Sequence, residues 1–346
     1  MGEESKPQAV GQDLRELAMR DAQGAVRLAV AFIGVSGGLF EQLNRLRVAG
    51  ADDLAAAARR DAGYVRRWCD AAYAFELIDE ADTGFRLTAL GRAFLPDAPG
   101  TLMPFAVQDV LSAHMAERAA GLMRTGERPG EVVLAERESI LPWFGPMLEA
   151  QFGPVFEKTI MPGLKVYEEA ALRQGLAVDL GCGNGWYLVR LAARFPQLRC
   201  LGVDGFEENI RQAQARAREL GFADRVHFRT GDIYSFENEE KADIIALNRA
   251  LHHVWDEKAQ VFSLLKRHLK PKGSAVIWEP HWPHDRHLLR QPTHRMMAFQ
   301  NLTEHVQGNH FLMPVEIADA FSEVGLTPTI HSFLDGREAV VTGTLL

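Results

Sequence analysis

Three acids and a glycine-rich loop have the spacing of a ligand site at the edge of a sheet. Val178-Asp179-Leu180-Gly181-Cys182-Gly183-Asn184-Gly185 leaves a strand-like run and enters the amphipathic stretch WYLVRLAARF. Gly181, Gly183 and Gly185 let the backbone turn sharply and approach a ligand closely. The spacing is G-x-G-x-G with an acid two residues before the first glycine. It departs from the G-x-G-x-x-G fingerprint that is built around a pyrophosphate. A second acid, Asp204, closes the next strand-like run and is followed by Gly205. There a carboxylate can accept hydrogen bonds from ribose hydroxyls. Asp232 closes the third run in Thr-Gly-Asp-Ile, placed to accept from an exocyclic amine with Ile233 against an adenine face.

These residues need a scaffold, and the sequence supplies one. From residue 176 onward, short apolar runs (177–180, 200–204, 226–230, 243–247 and 275–279) alternate with amphipathic helical stretches such as Glu207–Leu220 and Glu257–Leu269. That alternation predicts a parallel sheet covered on both faces. A helix over 314–324 and two further strands, TPTIHSF and EAVVTGTLL, follow, the strands joined at Asp335-Gly336 as an antiparallel hairpin. Residues 1–12 read as a mobile tail. Residues 13–100 read as helices followed by a two-stranded wing, a winged-helix pattern. Residues 101–170 read as a helical connector that covers part of an acceptor pocket, and 171–346 as the sheet domain.

In combination the motifs resemble the class I S-adenosylmethionine-dependent methyltransferases. VDLGCGNG is similar to their first motif, GVDG with Asp204 to their ribose acid, GDI with Asp232 to their adenine contact, and LLKRHLKPKGSAVIWE to their later helix, turn and strand. The resemblance implies an α/β, Rossmann-like seven-stranded sheet with its last strand antiparallel. It also implies S-adenosyl-L-methionine as cofactor, held by Asp179, Gly181, Gly183, Gly185, Asp204, Gly205, Asp232, Ile233 and Asn248.

Asn248-Arg249-Ala250-Leu251-His252-His253-Val254-Trp255-Asp256-Glu257 follows the fourth strand, at the end that faces the ligand crevice. Imidazole titrates near neutrality and can take a proton from a hydroxyl acceptor. The segment resembles the small-molecule O-methyltransferases that carry an N-terminal winged-helix dimerisation domain. The resemblance implies His252 as general base and Glu279, 27 residues on, as the carboxylate that orients it. Val254 before the Trp, and the doubled histidine, depart from that family's pattern, which makes His253 a second candidate. The implied partners are a small-molecule acceptor, a hydroxylated secondary metabolite, and a second copy of the chain bound through the N-terminal domain.

Nine of the twelve histidines lie between 252 and 310, and imidazole is a common metal ligand. The chain is also similar to the α-keto acid C-methyltransferases. That resemblance implies an alternative in which His252 and His305 hold a metal that stabilises an enolate for C-methylation of a 2-oxo acid. A further alternative is a winged-helix regulator that senses the cofactor. Against it, residues 1–100 carry 12 Lys+Arg and 15 Asp+Glu, and a DNA reader needs a basic face. The whole chain has net charge −8, which excludes a surface built mainly for nucleic-acid phosphates. Trp143, Phe144, Met147, Phe152, Trp186, Met296, Met297 and Phe299 are candidates to enclose an apolar acceptor. Three cysteines and a polar N-terminus without an apolar core give no disulfide framework, signal peptide or membrane span. The expectation is a cytoplasmic protein.

Overall fold

The structure is a computed structural model that describes residues 7–130, 132–136 and 139–346. The chain divides into two compact units, Met1–His114 with Arg137–Ala150, and Met115–Glu136 with Gln151–Leu346. The expected connector is therefore not one body, and its segments are shared between the two units.

The first unit is mostly helical. Helices run over Pro7–Ser36, Leu39–Leu46, Ala51–Ala58 and Ala62–Ala74. The expected mobile tail is thus helical from its seventh residue, and residues 1–6 lie outside the described residues. Asp61 caps the fourth helix by accepting from the Tyr64 N–H, one of the donors a helix start leaves unpaired. An antiparallel hairpin follows, β1 (Ile78–Ala81) and β2 (Gly84–Leu87). The core gathers Phe40, Leu43, Leu54, Trp68 and Leu77, and the Trp68 indole donates to the Val30 carbonyl at 3.0 Å. Trp143, Phe144 and Met147 pack in this same core. Among the described residues no single helix is long and apolar enough to cross a membrane. Asp13–Ser36 and Leu39–Leu46, bent 70° from one another, pass that test only as a pair, by length and composition. Leu39, Phe40 and Leu43 are buried in the protein core.

The second unit is built on seven strands: β3 (Leu176–Leu180), β4 (Arg199–Asp204), β5 (Val226–Thr230), β6 (Ala242–Asn248), β7 (Leu269–Pro280), β8 (Thr327–Phe333) and β9 (Glu338–Thr344). Their spatial order is β5-β4-β3-β6-β7-β9-β8. β3 to β7 are parallel, and β9 lies antiparallel between β7 and β8. The order reverses between β3 and β6, and the crevice outside the carboxyl ends of such strands is where this architecture binds ligands. β3 and β6 are apolar along almost their whole length because both faces are covered. Phe156, Tyr167, Trp186, Tyr187 and Trp278 fill one side, and Leu180, Leu247, Phe262 and Phe321 the other. At the opposite end of the sheet, buried Asp243 takes Arg173 at 2.9 Å, Lys270 at 3.0 Å and the Leu176 N–H at 3.1 Å. That ties three strand starts together and leaves the crevice end open.

Candidate active site

The glycine loop leaves β3 with Gly181, Gly183 and Gly185 at φ +76°, +51° and +77°, a left-handed region that favours glycine. The three serve different ends. A Cβ on Gly185 would lie 2.5 Å from the Phe228 ring, and one on Gly181 would lie 2.9 Å from Ala250, so both are needed for packing. Gly183 and Gly205 face open space, with nothing within 4 Å of a built Cβ. Gly181 and Cys182 donate their N–H groups to the Val203 carbonyl, which anchors the loop to β4.

Asp204 ends β4 and shapes the loop. Its Oδ2 accepts from the Gly183 N–H at 2.8 Å, and its Oδ1 from the Phe206 N–H and the Asn209 amide, each at 3.0 Å. A carboxylate has about four acceptor positions, so about one remains for a ligand. Asp179 is buried and accepts from the Asn248 amide at 2.9 Å, joining the ends of the switch-point strands. Burial pushes the Asp179 carboxyl well up, and the Asp204 charge adds to this against the Asn248 hydrogen bond. Two buried oxygens in this region lack a partner, Oδ1 of Asn184 and Oδ1 of Asn248. Both are acceptors, so the site wants a donor such as an ammonium group. Asp232 is exposed and caps the short helix Ile233–Ser235 through the Tyr234 N–H, and Ile233 is half-buried.

Past β6 the chain winds through Leu251–Glu257, a 3₁₀ segment that carries His252 inward. His252 is 5% exposed and Glu279, on β7, is 1% exposed. The imidazole Nδ1 lies 2.7 Å from Glu279 Oε2, while Glu279 Oε1 accepts from the Leu251 N–H at 2.8 Å. Burial alone would raise the Glu279 carboxyl. The charges of His252 and Arg249 and the His252 hydrogen bond outweigh it and hold the group below its ordinary value. An ionised Glu279 accepts only, so Nδ1 carries a proton toward it and Nε2 is the nitrogen turned away.

On that other nitrogen stands a residue the sequence reading missed. Glu304 Oε2 lies 3.8 Å from His252 Nε2, and Glu304 is 7% exposed. It projects from the helix Pro292–Val306. His305, one residue on, is exposed and does not join the group. Among the described residues, one group could hold a metal ion: His252, His253 and Glu304, whose ligand atoms lie within 4.8 Å of one another. His253 lies beside His252, the rings tilted with centroids 4.1 Å apart, and its Nδ1 accepts from the Asn309 amide at 2.8 Å. Asn309 is a second residue with no sequence signal. Phe152 and Trp186, expected near an acceptor, pack against the second unit's core. Met297 and Phe299 are half-buried on the helix that carries Glu304, and Met296 is exposed.

Residues 177–273 match the family model of a methyltransferase domain. Trans-aconitate 2-methyltransferase of Methylobacterium radiotolerans is 33% identical over 122 residues, 35% of this chain and 42% of that protein. Carboxy-S-adenosyl-L-methionine synthase of Wolinella succinogenes is 33% identical over 131 residues, 36% of this chain and 52% of that one. The chain spans about a third to a half of the length of the curated relatives it matches. Among solved structures, human N-acetylserotonin methyltransferase in complex with SAM superposes with TM-score 0.72 at 18% identity, covering 99% of each chain. Mitomycin 7-O-methyltransferase superposes with TM-score 0.69 at 19% identity, covering 98% of this chain and 100% of the other. The chain therefore has the class I methyltransferase fold. The family match covers residues 177–273, and the full-length superpositions extend the shared fold to the helical N-terminal region.

Proposed function

We propose that the protein is an S-adenosylmethionine-dependent methyltransferase that uses His252 as general base toward a hydroxyl of a small-molecule acceptor. The observation that carries this is the buried pair His252–Glu279 at the crevice end of β6 and β7, with Glu304 beside the other ring nitrogen. Glu279 fixes the tautomer, so that Nε2 is left to take the acceptor's proton. Glu304 then lies beside the imidazolium and stabilises its charge. An acceptor stripped of its proton is the stronger nucleophile.

The donor set suits the proposed cofactor. Asp204 suits ribose hydroxyls, Asp232 and Ile233 an adenine, and the unpartnered oxygens of Asn184 and Asn248, beside Asp179, an ammonium. When bound, S-adenosylmethionine supplies an electrophilic methyl group on a sulfonium. The open face of Gly183 lets backbone and ligand approach closely.

The first unit's three short helices and hairpin read as a winged helix used for pairing, not for DNA. Arg66, on the would-be recognition helix, is bonded to Asp52 at 2.8 Å, and Arg67 to the Gly63 carbonyl at 2.9 Å. Met19, Val26 and Ile33 stand exposed at seven-residue intervals on the first helix, a stripe suited to a second copy of the chain. Three buried free thiols suit the cytoplasm.

The test is S-adenosylhomocysteine release across phenols, carboxylates and 2-oxo acids. With a competent acceptor, His252→Ala is expected to lose about 10²-fold or more in kcat, with donor affinity unchanged by calorimetry. Near-full turnover in that variant sinks the base. A chelator is expected to leave the rate unchanged. Loss of rate restored by a divalent metal would move the reading to metal-dependent C-methylation of a 2-oxo acid, with Glu304 in the place expected for His305.

A further inference from the structure

The turn that delivers His252 is strained. Arg249 follows the last residue of β6 at φ +55°, a left-handed conformation that is costly for a residue with a Cβ. Its N–H donates to the Trp278 carbonyl at 2.7 Å. Its guanidinium turns inward, Nη1 lying 2.8 Å from Glu338 Oε2 and Cζ 3.9 Å from the centre of the Phe152 ring. The two charged side chains are 11% and 9% exposed. Glu338 opens β9 and also takes the Trp278 indole N–H at 2.7 Å. Its neighbour Ala339 pairs with Glu279 across the sheet, so the two carboxylates stand one residue apart in register on adjacent strands and on opposite faces of the sheet.

Arg249 acts on both. Burial pushes the Glu338 carboxyl up, with the Glu279 charge adding to this, and Arg249 opposes the rise. The same arginine helps hold Glu279 ionised. A buried ion pair is a poor device for stability alone, because apolar residues of the same volume often serve as well. Strain and buried charge together, three residues before a proposed catalytic histidine, point to a site role.

We propose that Arg249, seated by Glu338, is a positioning residue for the proton transfer: it sets the turn that presents His252 to Glu279. The proposal rests on His252 being the base. The charged and titratable groups around that imidazole are Glu279 from β7, Glu304 from the helix Pro292–Val306, and His253 and Arg249 from the turn itself.

The experiment uses full-length protein labelled with ¹⁵N-histidine and read by NMR. The Nδ1 proton of His252, assigned by its absence in His252→Gln, is expected far downfield while it is bonded to Glu279. Arg249→Met is expected to abolish that signal, Arg249→Lys to retain it, and S-adenosylhomocysteine affinity to stay as in the parent. Where turnover is measurable, Arg249→Met lowers kcat by about 10–100-fold with KM unchanged. An unmoved signal in folded Arg249→Met overturns the proposal. Should that variant not fold, Arg249→Met combined with Glu338→Leu removes both buried charges, and the same reading is made there. If the signal behaves as expected while His252→Ala still turns over, the base reading falls and the positioning geometry stands.

Discussion

At the scale of single residues, the glycine loop separates packing from ligand access. Gly185→Ala drives a methyl group into Phe228 at a left-handed position, and is expected to cost about 2–4 kcal/mol. Gly183→Ala meets open space and carries only the backbone penalty, about 1 kcal/mol. It is nevertheless expected to weaken donor binding by more than its loss of stability, because its methyl would occupy the open face. Urea unfolding and calorimetry on the two variants read both quantities. An unchanged unfolding midpoint in Gly185→Ala would refute the packing role. Most acids of the crevice were legible in sequence because each ends an apolar run, and a strand end is a definite place. Glu304 and Asn309 were not legible. They lie on a helix and the loop after it, and which face of a helix meets a distant histidine is decided by tertiary packing. His305 differs from Glu304 by one position, about a quarter of a turn, enough to face away.

At the scale of elements, the two ends of the sheet carry different electrostatics. The crevice end holds carboxylates with few cations, and the foot holds a closed network. Asp243 is pushed up by burial, but its bonds to Arg173 and Lys270 outweigh that and hold it below the usual range. Glu240, bonded to Arg199 and Lys270, is held down to about 2. Groups lowered in this way stabilise the fold above the ordinary carboxylate value, roughly 4, and lose that contribution as pH falls through their folded values. Asp243→Asn is expected to cost about 1–3 kcal/mol at neutral pH and to flatten the loss of stability between roughly pH 5 and 2. Denaturant melts at several pH values measure this, and a parallel offset at every pH would refute it. The strands were readable because doubly covered β-strands are continuous apolar runs. The stretch from 101 to 170 was not. Trp143, Phe144 and Met147 looked like pocket wall and are core of the first unit, since a periodic apolar face does not say which body it faces.

At the scale of the molecule, the net charge of −8 and the tied arginines of the first unit leave pairing with a second copy as its proposed role. Sedimentation is expected to give a dimer, and replacing Val26 and Ile33 with Glu to give monomers with unchanged circular dichroism. A monomeric parent protein at micromolar concentration would count against it. The position of β9 has a consequence for how the molecule is made. β7 is the seventh strand to emerge, yet its neighbour on the far side is the ninth. Until Glu338 arrives with that strand, the Trp278 indole and the Arg249 guanidinium lack the carboxylate that seats them. Completion of the turn that carries His252 thus waits for the latest strand in chain order.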